Sequence, residues 1–306
     1  MSAPRTGAPV LDRLRVGSAP DSWGVWFPED DQQVHWQRFL DEVAEAGYEW
    51  IELGPYGYLP TDPEVLREET ARRGLRVSAG TVFTSLHHGP AVWDATWAHV
   101  AQVAALARAM DATHLVVIPS FWRDDKTARE LEPRELTAEQ WRHQATGMER
   151  LARQVREEYG LGIVVHPHAD THIDTEENVT RLLDATDPDL VRLCLDTGHY
   201  AYCGGDSVKL IRTYGERIGY LHLKQVDPRV LEDVHAHGTP FGPAVRQGVM
   251  CEPPRGVPEL PPVLHAAQEL GVDLFAIVEQ DMYPCPADQP FPIADRTRRF
   301  LRSCGA

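Results

Sequence analysis

Short apolar runs rich in Val, Ile and Leu alternate with longer amphipathic segments along most of the chain. Runs of this length are typical of buried strands, and the amphipathic segments repeat their apolar positions with helical spacing. The pattern predicts eight strands, each followed by a helix, at residues 14–19, 49–53, 75–79, 113–118, 162–165, 193–196, 218–222 and 273–278. Because alternating strands and helices build parallel sheets and eight such units favour closure, we predict an α/β fold with a single (β/α)8 TIM barrel.

Start and stop signals support this order of elements. The first helix is predicted to begin near Val34 and to end at Gly47. The second begins at Asp62-Pro63, an N-cap aspartate with proline in the first turn, and ends at Gly74. Further helices are predicted near residues 91–110, 137–159, 175–185, 206–215, 260–270 and 293–303. No glycine-rich dinucleotide or phosphate-binding signature follows any strand, which disfavours an open doubly wound sheet.

Two connections are longer than a barrel requires. Residues 120–137 follow the fourth strand, and residues 226–258, rich in Pro, Gly and His, follow the seventh. Both lie at the carboxyl ends of strands, where barrels carry their active sites, so we predict irregular loops that cover the site. The prolines of the second loop are predicted either to hold Glu252 or Arg255 over the pocket or to form a surface turn with a solvated arginine.

Composition sets limits on location and partners. At 306 residues the chain suits one barrel domain over 14–306, after a flexible N-terminus at 1–13. No apolar stretch approaches the roughly 20 residues of a membrane span, and the start lacks a secretory signal, so a cytoplasmic protein with no membrane partner is expected. Five cysteines without CxxC spacing are expected to be reduced thiols. A net charge of −16 disfavours nucleic acid and favours a small neutral substrate.

Candidate chemistry follows from the residues at which four apolar runs end. These runs end in His166-Pro-His168, Asp196-Thr-Gly-His199, His222-Leu-Lys224 and Glu279. The carboxyl ends of parallel strands converge in a barrel, so we expect these side chains to lie together. Imidazole nitrogen and carboxylate oxygen together suit a borderline divalent metal.

These motifs also carry a family resemblance. In their order and spacing, and with Val278-Glu-Gln-Asp281, they resemble the xylose isomerase-like barrels and, among those, the inosose dehydratases of myo-inositol breakdown. The resemblance implies one divalent ion, Mn²⁺ or Co²⁺ before Zn²⁺ or Mg²⁺, held by Glu, Asp, His and Glu. Asp196, His222 and Glu279 match three of these ligands. His166 stands where the family usually has the first Glu, and His168 is either an alternative ligand or a base.

The resemblance implies a metal-dependent dehydratase (lyase) that removes water from a keto-polyol such as an inosose (2-keto-myo-inositol). A cation bound to a ketone and its neighbouring hydroxyl acidifies the α proton and stabilises the enediolate. His168 or Glu279 would take that proton. His199 and Lys224 are the candidates for the acid that protonates the departing hydroxyl.

Residues outside the four runs are candidates for substrate binding. Glu52, at the end of the second strand, is predicted to bind a substrate hydroxyl or to pair with a buried arginine. Arg255 would suit a carboxylate or phosphate. Apolar walls for a sugar ring, or ordinary core packing, are predicted for Trp23, Trp26 and Tyr56.

Each polar candidate also has a purely structural alternative. Asp196 would serve as a helix N-cap, and His199 would hydrogen-bond a neighbouring ligand. Lys224 would be a surface lysine paired with Asp227. Loop histidines are predicted to be solvated rather than ligands, namely His87, His88, His235 and His237.

Three alternative functions remain open at this level. The same site supports a keto-sugar isomerase or epimerase, or β-elimination of 3-keto-glycosides. A metal-free sugar-binding protein or complex subunit is the alternative that is not an enzyme. An endonuclease is disfavoured by the acidic charge. Relatives of this kind imply a homo-oligomer.

Overall fold

The computed structural model describes residues 10–124 and 127–306, and over them eight parallel strands close into a barrel. The barrel strands are β1 (Leu14–Ser18), β2 (Trp50–Glu52), β3 (Arg76–Thr84), β4 (His114–Pro119), β5 (Gly162–Val165), β6 (Val191–Asp196), β7 (Ile218–Leu223) and β10 (Leu274–Val278). They are ordered β1-β10-β7-β6-β5-β4-β3-β2 around the barrel. The predicted single (β/α)8 TIM barrel is confirmed.

Helices follow the strands and cover the outside of the barrel. They are α1 (Trp36–Glu45), α2 (Pro63–Ala71), α3 (Trp93–Ala109), α4 (Ala138–Tyr159), α5 (Glu176–Asp184), α6 (Thr197–Tyr202), α7 (Ser207–Tyr214), α8 (Pro228–His237), α9 (Phe241–Arg246), α10 (Leu260–Glu269) and α11 (Pro290–Ser303). The predicted cap of α2 is present, since the Asp62 side chain accepts from the backbone N–H groups of Glu64 and Val65. None of the described helices is long and apolar enough to cross a membrane.

Two apolar layers support the barrel. The larger one fills the space between the strands and the surrounding helices. A smaller one fills the barrel interior and includes Val116, Val164, Cys194, Tyr220 and Ile277. Because side chains alternate along a strand, this interior packing closes the barrel below the site and leaves the polar residues at the strand ends as its floor.

The stretch 226–258, predicted as an irregular loop, is largely ordered, so that prediction was wrong. It contains α8, α9 and a two-stranded antiparallel pair, β8 (Gln225–Val226) with β9 (Met250–Cys251). Asp227 caps α8 and Pro228 opens it, the same signal that identified α2. Phe241 and Ala244 pack with Val226 and Val249 in a third apolar cluster, which gives this excursion a small core of its own.

The first residues that the structure describes contact the end of the chain. Of the predicted flexible N-terminus at 1–13, residues 1–9 lie outside the described residues. Leu11 is buried, and its N–H donates to the carbonyl oxygen of Gly305 over 2.8 Å. The first strand therefore starts from a position fixed by the last helix.

Candidate metal and substrate site

The carboxyl ends of the barrel strands open into a cavity of about 910 Å³. Polar residues of its lining that the sequence singled out are Glu52, His166, His168, His222, Lys224 and Glu279. Aromatic walls come from Trp26, Phe27, Tyr56, Phe83, Phe121 and Phe241. A volume of this order is typical of a small-molecule site.

Four of the predicted residues form one compact group, here called the quartet: His166, Asp196, His222 and Glu279. One nitrogen or oxygen atom from each lies within 4.8 Å of all the others. Nε2 of His166 is 3.4 Å from Oδ2 of Asp196, and Nδ1 of His222 is 2.9 Å from Oε2 of Glu279. Asp196 and His222 are in register on adjacent strands β6 and β7, so the barrel itself sets their separation.

Unsatisfied polar atoms indicate that the quartet fits a cation. Oδ2 of Asp196 and Nδ1 of His222 face each other in the quartet, and both are buried without a hydrogen-bond partner among the described residues. Burying such atoms costs about 1–3 kcal/mol each unless they are satisfied. Two imidazoles and two carboxylates match the donors that borderline divalent metals prefer.

Asp196 combines the two roles that the sequence left open. Its Oδ1 accepts from the N–H groups of Gly198 and His199, both over 2.8 Å, and so caps α6. Its Oδ2 faces the quartet. One carboxylate therefore starts the helix with one oxygen and offers the other as a ligand.

Glu52 orients His222. Nε2 of His222 donates to Oε1 of Glu52 over 2.7 Å, and Thr81 Oγ1 donates to Oε2 over 3.2 Å. This places the His222 proton on Nε2 and leaves Nδ1 directed at the quartet, the arrangement that supports metal-bound histidines in general. The alternative of a buried arginine partner for Glu52 was wrong, since its partners are His222 and Thr81.

Lys224 is buried in the centre of the site, so the alternative of a surface lysine paired with Asp227 was wrong. Its Nζ lies 2.8 Å from Oδ2 of Asp281 and 3.2 Å from Oε2 of Glu279. The stem of Lys224 passes over Gly198, where a Cβ would lie 2.5 Å from its Cγ. The glycine of the Asp-Thr-Gly-His motif is therefore required by the close passage of this lysine.

His168 and His199 stack beside the quartet with their ring centres 3.7 Å apart. Nδ1 of His168 donates to the carbonyl of Ala169 over 2.8 Å, so a neutral His168 ring carries its lone pair on Nε2. Burial, and then the neighbouring His166 and Lys224, lower the pKa of His168 to about 3. His168 is therefore an unprotonated imidazole on the cavity wall.

Charge within the site keeps its carboxylates ionised. Burial by itself would raise the pKa of Glu279, but His222 and Lys224 outweigh burial and hold that pKa at about 2. Burial likewise opposes ionisation of Asp196, and Lys224 and His199 bring its pKa well below the ordinary value. Both side chains are thus in the form that ligates a cation.

Two of the predicted substrate contacts, Trp23 and Arg255, lie outside the cavity, and for both the structure agrees with the alternative: core packing for Trp23 and an exposed surface turn for Arg255. Trp23 is fully buried, donates from Nε1 to Glu42 over 2.8 Å and packs edge-on against Phe39. The short helical turn after β1 directs its ring into the layer beneath α1. Arg255 is 69% exposed, lies 3.8 Å from Glu252 and is not part of the cavity lining.

Two acidic residues to which the sequence analysis assigned no role also belong to the site. Asp281 bonds Lys224, and Asp21 lines the cavity with neither carboxylate oxygen hydrogen-bonded to a described residue. Burial, and then the neighbouring Glu279, raise the pKa of Asp21 well above its usual range. The sequence signal was their position, since both follow barrel strands within three residues.

Among the loop histidines, His87 was predicted wrongly. It is 1% exposed, and its Nε2 lies 3.0 Å from Oε2 of Glu132. His88 is half exposed at the cavity edge. His235 and His237 are both exposed, as predicted, although both belong to α8 rather than to a loop and His235 contacts the carbonyl of Tyr202.

Comparison with known proteins identifies the family. The profile of the xylose isomerase-like TIM barrel family matches residues 40–304. The chain is 31% identical over 293 residues to the inosose dehydratase of Lacticaseibacillus casei, an alignment that covers 94% of this chain and 96% of that protein.

Solved structures agree on the fold. The IolI protein with a bound zinc atom has a TM-score of 0.71 at 16% identity, covering 95% of this chain and 98% of that one. An L-ribulose 3-epimerase has a TM-score of 0.69 at 17% identity, covering 95% and 94%. The resemblance predicted from the motifs is confirmed, as is the expectation of an enzyme: the chain belongs to the xylose isomerase-like TIM barrel family.

Proposed function

We propose that this enzyme is a metal-dependent dehydratase that removes water from a keto-polyol of the inosose type. The observation that carries the proposal is the quartet, in which the unsatisfied Oδ2 of Asp196 and Nδ1 of His222 face each other beside Nε2 of His166 at the strand ends. The name of the Lacticaseibacillus casei relative supports the choice of reaction. A divalent ion held by the quartet would polarise the substrate ketone and stabilise the negative charge of an enediolate.

His168 is the proposed base. It lines the cavity, its Nδ1 proton is committed to Ala169, and its Nε2 is free to accept a proton. The Phe241 ring packs against both His168 and His199, at 5.1 and 5.0 Å between centres. This packing fixes the ring against the wall, and the lone pair of Nε2, in the plane of the ring, is the site that would take the substrate's α proton.

Lys224 is the proposed acid for the departing hydroxyl. Its Nζ lines the cavity while Asp281 and Glu279 hold it from below. His199, the other candidate for the acid, has its Nε2 3.1 Å from Nζ of Lys224. We assign His199 a positioning role, since it lies between Lys224 and His168 rather than at the cavity wall.

The walls fit a compact ring with hydroxyls on its edge. Trp26, Tyr56 and Phe241 line the sides of the cavity while the polar groups gather at its floor, an arrangement common to small-molecule sites. We propose Mn²⁺ or Co²⁺ as the working ion. The expected homo-oligomer and cytoplasmic location stay predictions.

The direct test uses metal-free protein reconstituted with Mn²⁺ or Co²⁺ and incubated with 2-keto-myo-inositol in D₂O. The proposal expects a product lighter by one water, formed only with metal present. Deuterium uptake without loss of water would refute the dehydratase and indicate an epimerase. Cleavage of a 3-keto-glycoside, with no action on the inosose, would indicate β-elimination.

A matched pair of variants ties the activity to the quartet. Glu279→Gln replaces the charged ligand with a neutral side chain of similar volume and is expected to abolish product formation. Glu232→Gln makes the same change at an exposed position of α8 and is expected to leave it unchanged. Full activity of Glu279→Gln would place the chemistry elsewhere.

A further inference from the structure

A second group of histidines lies at the mouth of the cavity, here called the rim cluster: His87, His88, His172 and Glu132. His87 and His88 belong to the helical turn Leu86–Val92 that follows β3. Glu132 lies in the connection from β4 to α4, and His172 in the connection from β5 to α5. Three separate connections thus bring their side chains to one point, and none of these residues belongs to the quartet.

Glu132 is the centre of the rim cluster. Its two carboxylate oxygens lie 3.1 and 3.0 Å from Nε2 of His87. Nε2 of His172 is 3.1 Å from Oε1, and Nε2 of His88 is 3.6 Å from Oε2. Tetrahedral zinc with bonds of about 2.0–2.1 Å to nitrogen and oxygen places its ligand atoms roughly 3.3 Å from one another. The distances from Glu132 to the three imidazoles are close to this size.

His172 gives an independent indication of a bound cation. It is 2% exposed, and its Nδ1 donates to the carbonyl of Arg134 over 2.9 Å. In the neutral ring this bond leaves the lone pair on Nε2, and a backbone carbonyl is a usual partner for the far nitrogen of a metal-bound histidine. Nε2 has no hydrogen-bond partner among the described residues, although Glu132 is 3.1 Å away. Two acceptor atoms, Nε2 of His172 and Oε1 of Glu132, repel each other at that distance unless a positive charge lies between them.

We propose that the rim cluster is a second metal site, which binds a divalent ion of the zinc type through His87, His88 and Glu132, with His172 as the fourth ligand. The ligand atoms of His87, His88 and Glu132 all lie within 4.8 Å of one another. Three imidazoles and one carboxylate form a donor set that favours Zn²⁺ over the hard cations Mg²⁺ and Ca²⁺.

An ion at the rim would hold a loop over the substrate cavity. His88 and Glu132 line that cavity. The β4–α4 connection that carries Glu132 is also tied to the β5–α5 connection by ion pairs, Arg123 with Asp170 and Arg134 with Asp174. The metal would strengthen the tie that the contact between His87 and Glu132 already makes from this loop to the turn after β3. It would therefore set the position of the cavity wall without contacting the quartet.

The test is the number of Zn²⁺ ions bound per chain, measured by equilibrium dialysis of metal-free protein. Wild type is expected to bind two equivalents and Glu132→Gln one. His88→Ala, at a half-exposed position that the fold does not depend on, is also expected to bind one. The matched control His237→Ala removes an exposed histidine of α8 and is expected to retain two. One equivalent in wild type that Glu132→Gln retains, or two in both rim variants, would overturn the proposal.

X-ray absorption identifies the ligands of the rim ion directly. Asp196→Asn weakens the quartet and leaves the rim cluster intact, so its remaining Zn²⁺ is expected to show a shell containing three imidazoles, one more than the quartet supplies. A shell with two imidazoles or fewer would overturn the proposal. Neither measurement depends on turnover, so failure of the rim site and failure of the proposed dehydratase are distinguishable.

Discussion

Asp196→Asn separates the two roles of one side chain. Oδ1 of Asp196 caps α6 through Gly198 and His199, while Oδ2 faces the quartet. Asparagine keeps a carbonyl oxygen for the cap and places a neutral amide where the ligand oxygen was. Because Asn and Asp are equally good N-caps, the cap is expected to remain, but the metal-free variant loses the contact between the charged Oδ2 and Lys224 and is expected to be less stable than wild type. The comparison therefore uses the metal-dependent increase in the free energy of unfolding of each variant.

The magnitude follows from linkage between metal binding and folding. An ion present at 100 times its dissociation constant stabilises the native state by about 2.7 kcal/mol. Changes outside the ligand shell typically weaken metal binding about 10–100-fold, so loss of a charged ligand is expected to cost at least about 100-fold. At the same ion concentration the stabilisation of Asp196→Asn then falls to about 0.4 kcal/mol.

The assay is urea unfolding with and without Mn²⁺, in chains that also carry Glu132→Gln so that the rim cluster does not contribute. Asp227→Asn is the matched control, because Asp227 caps α8 in the same way and lies outside the quartet. The control is expected to keep the full metal-dependent increase in the free energy of unfolding. Equal increases in Asp196→Asn and Asp227→Asn would refute Asp196 as a ligand.

Three further changes separate the remaining roles. His168→Gln is expected to bind metal normally and to lose exchange of the substrate's α proton by about 10²–10⁴-fold; loss of the ion would make His168 a ligand instead. Glu52→Gln is expected to weaken metal binding about 10–100-fold, because it loosens the support of His222; an unchanged dissociation constant for Mn²⁺ would show that this hydrogen bond does not matter. Trp23→Phe removes the hydrogen bond to Glu42 and is expected to lower the free energy of unfolding by about 1 kcal/mol with no change in KM. A raised KM would show that Trp23 contacts the substrate.

The barrel and the quartet could be predicted from the sequence because each depends on a local pattern. Apolar runs mark parallel strands, and a polar residue at the end of such a run lies on the catalytic face whatever the distant strands do. His166, Asp196, His222 and Glu279 meet for that reason. The order of the strands then follows from the βα alternation alone.

Side-chain direction after a strand end did not follow from the sequence. Trp23 and Asp21 occupy the same short turn, yet the tryptophan enters the core and the aspartate the cavity. The sequence did not exclude a surface position for Lys224, because its partner Asp281 is far away in the chain. The burial of His87 depends on Glu132, which a different loop supplies. Such contacts are set by tertiary packing, which periodicity does not encode.

The position of the metal ion is the most direct test of the proposed site. Crystals grown with Mn²⁺ and measured at its absorption edge would locate the ion by anomalous scattering. A peak within about 2.0–2.3 Å of one atom from each of His166, Asp196, His222 and Glu279 is the expected result. A fully loaded crystal with no peak between these four side chains would contradict the assignment of the quartet as the metal centre.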